Sequence, residues 1–266
     1  MKRSNLFIYT PAHLLPARLS FLLNRKLQPE VACQEVQLEM LDFAQLGDCA
    51  DQLQEQGLST TLHAPFTNFN PGSSKKRTRN TSLQIADVSL LLAEKLHAQR
   101  IVFHPGLVPG CTGKKLDIWL QNNRTFWPEF LAHAAEFDCT ICIENIYEST
   151  PDPLIKLFSM IDSPQLGHVF DIGHWNLFGS EKLVNWLNEM APYLKHMHLH
   201  DNHGERDEHL AIGQGYVPFS TLFNWLQTAN LLPTITLENH TLPEVEQSLK
   251  LINNLKFRVS PLPELA

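Results

Sequence analysis

The stretch CTICIENIYESTPDPLIKLFSMIDSPQLGHVFDIGHWNLFGSEKLVNWLNEMAPYLKHMHLHD (139–201) decides the fold. Three short runs in it read as strands, CTICIENI (139–146), LGHVFDIG (166–173) and LKHMHLHD (194–201). Between them, Pro153–Ile161 and Leu183–Met190 carry apolar residues at helical spacing. Strand alternating with helix is the signature of parallel βαβ units.

The same alternation continues outward in both directions. Upstream lie NLFIYT (5–10), EVQLEM (35–40), STTLHAPF (59–66) and RIVFHPG (100–106), and downstream lies TITLENH (234–240). Helical patterns fall at Thr81–Ala98, Phe126–Phe137, Leu222–Ala229 and Val245–Leu255. Pro71–Gly72, Pro105–Gly106 and Pro109–Gly110 fall in the connections, outside the periodic runs. Eight such strands predict one (β/α)₈ barrel over residues 1–266, with Ser260–Ala266 as an extended tail. The length of 266 residues suits a single barrel, which typically uses about 250. A doubly wound open sheet usually opens with a glycine-rich turn, and Thr10–Pro16 contains no glycine.

Lys plus Arg number 21 against 28 Asp plus Glu, a net charge of −7 that works against binding nucleic acid through bulk charge. No run of about 18 apolar residues is free of charge, so no membrane partner is expected. The start, MKRSNLFIYTPAHLLP, has too brief an apolar run before Pro11 for a signal peptide. Five scattered cysteines read as thiols of a reduced, cytoplasmic protein. Cys139 and Cys142 form a CxxC, but a strand lacks the helix N-terminus that activates such thiols, so they read as packing residues.

Barrel enzymes carry their chemistry where strands end at the C-terminal face. Here strand three ends in His63, strand four in His104, strand five in Glu144 and strand six in Asp171, with His174 just beyond. Strand seven ends in His198, followed by Asp207 and His209, and strand eight ends in Glu238. So many carboxylates on one rim would repel one another without a cation. Imidazole and carboxylate together are the donors of zinc and manganese sites. Parity leaves His196, His198 and His200 on one face of their strand, and Cys142 with Glu144 on one face of theirs.

The segments LHAPF (62–66), FHPG (103–106), IEN (143–145), FDIGH (170–174), HLHDN (198–202), DEHLAIGQG (207–215) and LEN (237–239) occur in the order seen in one known family. The chain resembles the xylose isomerase-like TIM-barrel superfamily, which includes sugar isomerases and epimerases and endonuclease IV. The resemblance implies a divalent metal cofactor, zinc or manganese, with one to three ions bound. In the endonuclease IV-like arrangement, His63, His104 and Glu144 hold the first ion, and Glu144 bridges to the second. Asp171, His198 and Glu238 complete the second site, and His174, Asp207 and His209 form the third. The H-L-x-D pattern at 198–201 favours His198 over His200 as the ligand. Sugar isomerases of the superfamily use the Glu144, Asp171, His198 and Glu238 positions with one metal.

Two activities follow from the resemblance. The first is an isomerase or epimerase of a small sugar, sugar phosphate or polyol, working through an enediolate. Glu144 and Glu238 would move the proton and His174 would stabilise the developing oxyanion. The second is a phosphodiesterase that cuts DNA at abasic sites, the one reading with a nucleic-acid partner. A full set of nine ligand positions favours the nuclease. Glu208, where the nucleases tend to carry arginine, and Phe66, where they often place tyrosine, favour the sugar enzyme. A metal-binding barrel without activity is the third and blandest reading.

Phe66, Trp175 and Arg206 are the candidate substrate contacts, with Glu148, Asn145 and His203 as weaker ones. The basic run Lys75, Lys76, Arg77 and Arg79 reads as a solvated loop ahead of the helix at Thr81, or as a clamp on phosphate. His13, His97, His133 and His168 fall outside the rim pattern.

Overall fold

The computed structural model of the protein describes residues 5–33 and 40–254. Eight parallel strands close into a barrel in chain order, with the first strand pairing to the eighth. They are β1 (Leu6–Pro11), β2 (Gln28–Ala32), β3 (Thr60–His63), β4 (Ala98–Phe103), β5 (Thr140–Glu144), β6 (Leu166–Asp171), β7 (Leu194–Leu199) and β8 (Thr234–Leu237). Around them run α1 (Leu15–Arg25), α2 (Phe43–Glu55), α3 (Lys76–Lys95), α4 (Gly113–Glu136) and α5 (Asp152–Ile161). The ring continues with α6 (Ile172–Phe178), α7 (Leu183–Met190), α8 (Phe219–Ala229) and α9 (Leu242–Asn254). No described helix is long and apolar enough to cross a membrane.

The second strand departs from the sequence expectation. The barrel takes Gln28–Ala32 between β1 and β3, with Phe7 opposite Gln28 and Ala32 opposite His63. Within the EVQLEM run, residues 35–39 lie outside the described residues, and Met40 is in a turn and exposed. The observed strand, QPEVA, hides its nature because Pro29 and Glu30 are both poor strand formers. It tolerates them because Glu30 is buried inside the barrel among polar partners.

Two helices begin earlier than their apolar patterns suggest. Helix α3 starts at Lys76 with Lys75 as its N-cap, so Lys76, Arg77 and Arg79 lie in its first turns rather than on a loop. Arg79 Nη1 donates to Ser73 O at 2.7 Å, which ties that turn to the preceding connection. Helix α4 starts at Gly113, and its polar first half, GKKLDIWLQNNR, obscured the pattern that resumes at Phe126. The tail Ser260–Ala266 lies outside the described residues.

Most of the apolar core fills the layer between barrel and helices, from Leu6 and Ile8 on β1 to Leu249 and Ile252 on α9. Among the described residues, Val102, Cys142 and Val169 form a separate apolar patch inside the barrel. Cys142 and Cys139 are both fully buried, and burial pushes the Cys142 thiol up to about 12. The packing role expected for this pair therefore fits their surroundings. Elsewhere the interior is polar, with Glu30, Thr61, His196 and Thr236 all fully buried.

Candidate metal centre

Parallel strands deliver their C-terminal residues to one face. His63, Glu144 and Asp171 are the last residues of β3, β5 and β6, and His198 is the penultimate residue of β7. His104 and Glu238 directly follow β4 and β8, and His174 lies in the short helix α6. Asp207 and His209 belong to the loop between β7 and α8.

The structure brings all nine together in three adjoining groups. His63 Nε2 and His104 Nε2 lie 3.3 and 3.4 Å from Glu144 Oε2. His198 Nδ1 lies 3.3 Å from Glu144 Oε1, 3.6 Å from Glu238 Oε2 and 3.8 Å from Asp171 Oδ2. His174 Nε2 and His209 Nε2 lie 3.3 and 3.1 Å from Asp207 Oδ2. His174 Nδ1, 3.1 Å from Glu144 Oε1, joins the third group to the first two.

Neighbouring residues fix these side chains. Asn145 Nδ2 donates to Asp171 O at 2.8 Å, and Asn145 Oδ1 accepts from Asp171 N at 2.9 Å. Asn145 thus locks the ends of β5 and β6 together. Asn239 does the same after Glu238, donating to His209 O and Leu210 O. Asp171 also caps α6, with Oδ1 accepting from His174 N at 2.7 Å. Asp201 accepts from the backbone N–H groups of Asn202, Gly213 and Val217, which closes the loop carrying Asp207 and His209. His209 itself sits at φ +52°, a left-handed conformation that is costly for a residue with a Cβ.

The imidazoles are anchored in a pattern. His63 Nδ1 lies 2.9 Å from Ala64 O, His174 Nδ1 3.1 Å from Asn145 O and His209 Nδ1 2.7 Å from Glu238 O. With Nδ1 on a carbonyl, His63 and His209 present Nε2 to the carboxylates, the usual arrangement of a metal-binding histidine, while His174 Nδ1 also meets Glu144.

Electrostatics agree with a cation site. Burial opposes ionisation of Glu144, but the surrounding imidazoles, His198 foremost, hold its carboxyl well below the usual range. Burial also works against the His198 charge, yet Glu30, Glu238 and Glu144 raise its pKa well above the ordinary value. His174 is raised well above it despite burial, by Asp171, Asp207 and Glu144. His209 reaches about 9 against its own burial, through Asp207 and Glu238. His104 goes the other way, because burial outweighs its attraction to Glu144. Both oxygens of Glu144, Oε2 of Glu238 and Nδ1 of His198 are buried without a hydrogen-bond partner. Buried polar atoms are seldom left so. Groups of these side chains lie close enough to share an ion, among them His63, His104 and Glu144, and His63, His198 and Glu238. The donor set fits a divalent cation such as zinc or manganese.

The candidate substrate contacts fare differently. Phe66 is half exposed and stacks on His104, with ring centroids 4.6 Å apart and planes 8° from parallel. Trp175 is half buried, packs against the core and donates its indole N–H to Glu181 O. Arg206 is exposed in the β7–α8 loop beside Glu208. Glu208 is held by His203, whose backbone N and Nδ1 both lie 2.9 Å from Glu208 Oε2. Glu148 is buried, and desolvation raises its carboxyl to about 7.

Three neighbours of the centre lie outside the nine: His200, which the sequence set aside in favour of His198, and His240 and Glu30, which it did not single out. His200 lies 3.2 Å from Asp171 and stacks on His209 at 4.0 Å. Gly173 is what admits it, since a Cβ there would strike the His200 ring. His240 also stacks on His209, at 4.3 Å. Glu30, beneath the centre, lay on the strand that the sequence hid. His200 and His240 were legible as extra histidines in HLHDN and LENH.

A profile of the family described as xylose isomerase-like TIM barrel matches residues 30–255. Two uncharacterised proteins of Methanocaldococcus jannaschii are similar to this chain. MJ1614 is 31% identical over 76% of this chain and 78% of its own, and MJ1311 is 30% identical over 72% and 68%. Among solved structures, a D-tagatose 3-epimerase-like protein superposes with TM-score 0.79 and 24% identity, covering 94% of this chain and 96% of its own. The TTHB071 protein from Thermus thermophilus, soaked with ZnCl2, gives TM-score 0.78 and 24% identity over 95% and 98%. The chain belongs to the xylose isomerase-like TIM-barrel family.

Proposed function

We propose that this member of the xylose isomerase-like TIM-barrel family is a divalent-metal-dependent isomerase or epimerase of a small sugar, sugar phosphate or polyol. One observation carries the reading. Glu144 and Glu238 approach the same nitrogen, His198 Nδ1, at 3.3 and 3.6 Å, each with a buried oxygen that has no hydrogen-bond partner. His63, His104, Glu144, Asp171, His198 and Glu238 would hold the cation, with His174, Asp207 and His209 available to a further ion. A bound divalent cation, zinc or manganese in one to three copies, supplies a Lewis acid that acidifies the carbon next to a carbonyl.

The protein's own groups do the rest. One of Glu144 and Glu238 accepts the proton from that carbon, and the other returns a proton to the neighbouring carbon or the opposite face. His174, oriented by Asn145 O and Asp207, stabilises the charge that develops on the substrate oxygen. Phe66 offers the open face of its ring to the apolar side of a sugar. The likeness to a D-tagatose 3-epimerase-like protein supports a sugar substrate, and the zinc soak of TTHB071 is in keeping with a metal. All five cysteines are free, as the reducing cytoplasm leaves them.

The third group, His174 with Asp207 and His209, favours a second reading, a phosphodiesterase that cuts DNA at abasic sites. Against it stand Glu208, turned to His203 rather than replaced by a phosphate-binding arginine, and a net charge of −7. A duplex oligonucleotide with one abasic site, incubated with zinc- or manganese-loaded protein and with a chelated control, separates the two. No incision is expected. Metal-dependent incision would replace the isomerase with the nuclease.

A further inference from the structure

His63 and His209 rest Nδ1 on a backbone carbonyl and turn Nε2 to the carboxylates, while His174 Nδ1 lies between Asn145 O and Glu144 Oε1 with its Nε2 on Asp207. His198 is reversed. Its Nδ1 faces Glu144, Asp171 and Glu238, and its Nε2 lies 2.9 Å from Glu30 Oε1. An imidazole offers a lone pair to a cation from one nitrogen only, while the other keeps its proton and needs an acceptor. In place of a carbonyl, His198 has a carboxylate at ion-pair distance, and Nε2 and Glu30 Oε1 have no other hydrogen-bond partner.

That carboxylate is itself built in. Glu30 is fully buried on β2, and its ion-pair partners among the described residues are His196 and His198. Its other oxygen, Oε2, accepts from Thr61 Oγ1 and Thr236 Oγ1 at 3.0 Å each and lies 3.1 Å from His196 Nε2. His196 is braced in turn by Thr234 Oγ1, 2.6 Å from its Nδ1. Side chains of β2, β3, β7 and β8 therefore converge on Glu30. Glu30, His196 and His198 also lie near enough to share an ion. Two hydroxyl hydrogens on Oε2 mark a hydrogen-bond acceptor instead of a ligand.

We propose that Glu30 is a positioning residue of the centre: it fixes His198 with Nε2–H toward β2 and leaves Nδ1 to the cation. This rests on the reading of the rim as a metal site. A carboxylate in that place also raises the basicity of the ligating nitrogen.

Cobalt(II) and zinc titrations of the full chain, wild type and Glu30→Gln, test the proposal together with long-range proton–nitrogen NMR of the labelled imidazoles. Glu30→Gln is expected to weaken metal binding by about 10–100-fold and to change the cobalt absorption spectrum. In the zinc-loaded wild type, His198 is expected to be protonated at Nε2 and metal-bound at Nδ1. Unchanged affinity and spectrum in a folded Glu30→Gln protein would overturn the proposal, as would metal on His198 Nε2 in the wild type. That second measurement decides alone if the variant does not fold. A wild-type protein that takes up neither cation would instead defeat the metal reading beneath it.

Discussion

At the floor of the barrel, Glu30 Oε2 collects hydroxyl hydrogens from Thr61 and Thr236, while at the rim Glu144 faces four imidazoles and no hydroxyl. Both carboxylates are fully buried. The floor answers the cost of burial with two hydroxyls on one oxygen and with the imidazoles of His196 and His198 beside the pair. At the rim, the counter-charges lie on side chains that can release a proton, and both Glu144 oxygens remain without a hydrogen bond. Glu30 is given hydroxyls as well as imidazoles, and Glu144 imidazoles alone. His198 touches both layers, with one nitrogen on each.

The sharpest way to break this contrast is at the rim. Glu144→Gln or Glu238→Gln is expected to lower turnover by about 10²–10⁴-fold, the usual share of a positioned acid or base. Near-normal turnover in either variant would remove that residue from the mechanism. Next in size is metal removal. With free metal at about 1,000 times its dissociation constant, binding adds about 4 kcal/mol of stability, seen as a drop in thermal midpoint on chelation. An unchanged midpoint would count against a bound ion.

The acidity of the rim gives a pH dependence with a definite sign. His209 is raised to about 9, so the stability from its pairing with Asp207 is fully present below the ordinary histidine pKa of about 6.5. It is lost as pH rises through about 9. The metal-free protein should therefore melt at lower temperature as pH climbs through that window, and metal affinity should rise as the histidines give up protons. Thermal melts and titrations at three pH values check both, and a flat response in the two would contradict the assignment. The smallest effect belongs to the mouth. Phe66→Ala removes a stacked pair worth about 1 kcal/mol and should raise KM only several-fold for a small sugar. A much larger loss on abasic DNA would move the balance to the nuclease.

The barrel was legible because seven of its eight strands are short apolar or alternating runs bounded by turn residues and followed by helical patterns. The second was not, since Pro29 and Glu30 make sense only beside Thr61, His196 and Thr236, which are distant in sequence. Six of the nine rim residues were readable from strand endings because a parallel barrel converts strand position into spatial position, and His174, Asp207 and His209 came from the family resemblance. What position cannot give is orientation. Asn145 read as a candidate substrate contact, and the structure shows both ends of its amide on the Asp171 backbone. Phe66, by contrast, a candidate substrate contact in the sequence, is half exposed with its ring stacked on His104.

Solvent exchange tests the central claim most directly. A panel of pentuloses, hexuloses and their phosphates would be incubated in D2O with zinc- or manganese-loaded protein and followed by proton NMR. Loss of the signal from the hydrogen on the carbon next to the carbonyl, in at least one sugar and abolished by a chelator, is the expected result. Fully metal-loaded protein that exchanges no such hydrogen in any of them would contradict proton transfer by Glu144 and Glu238.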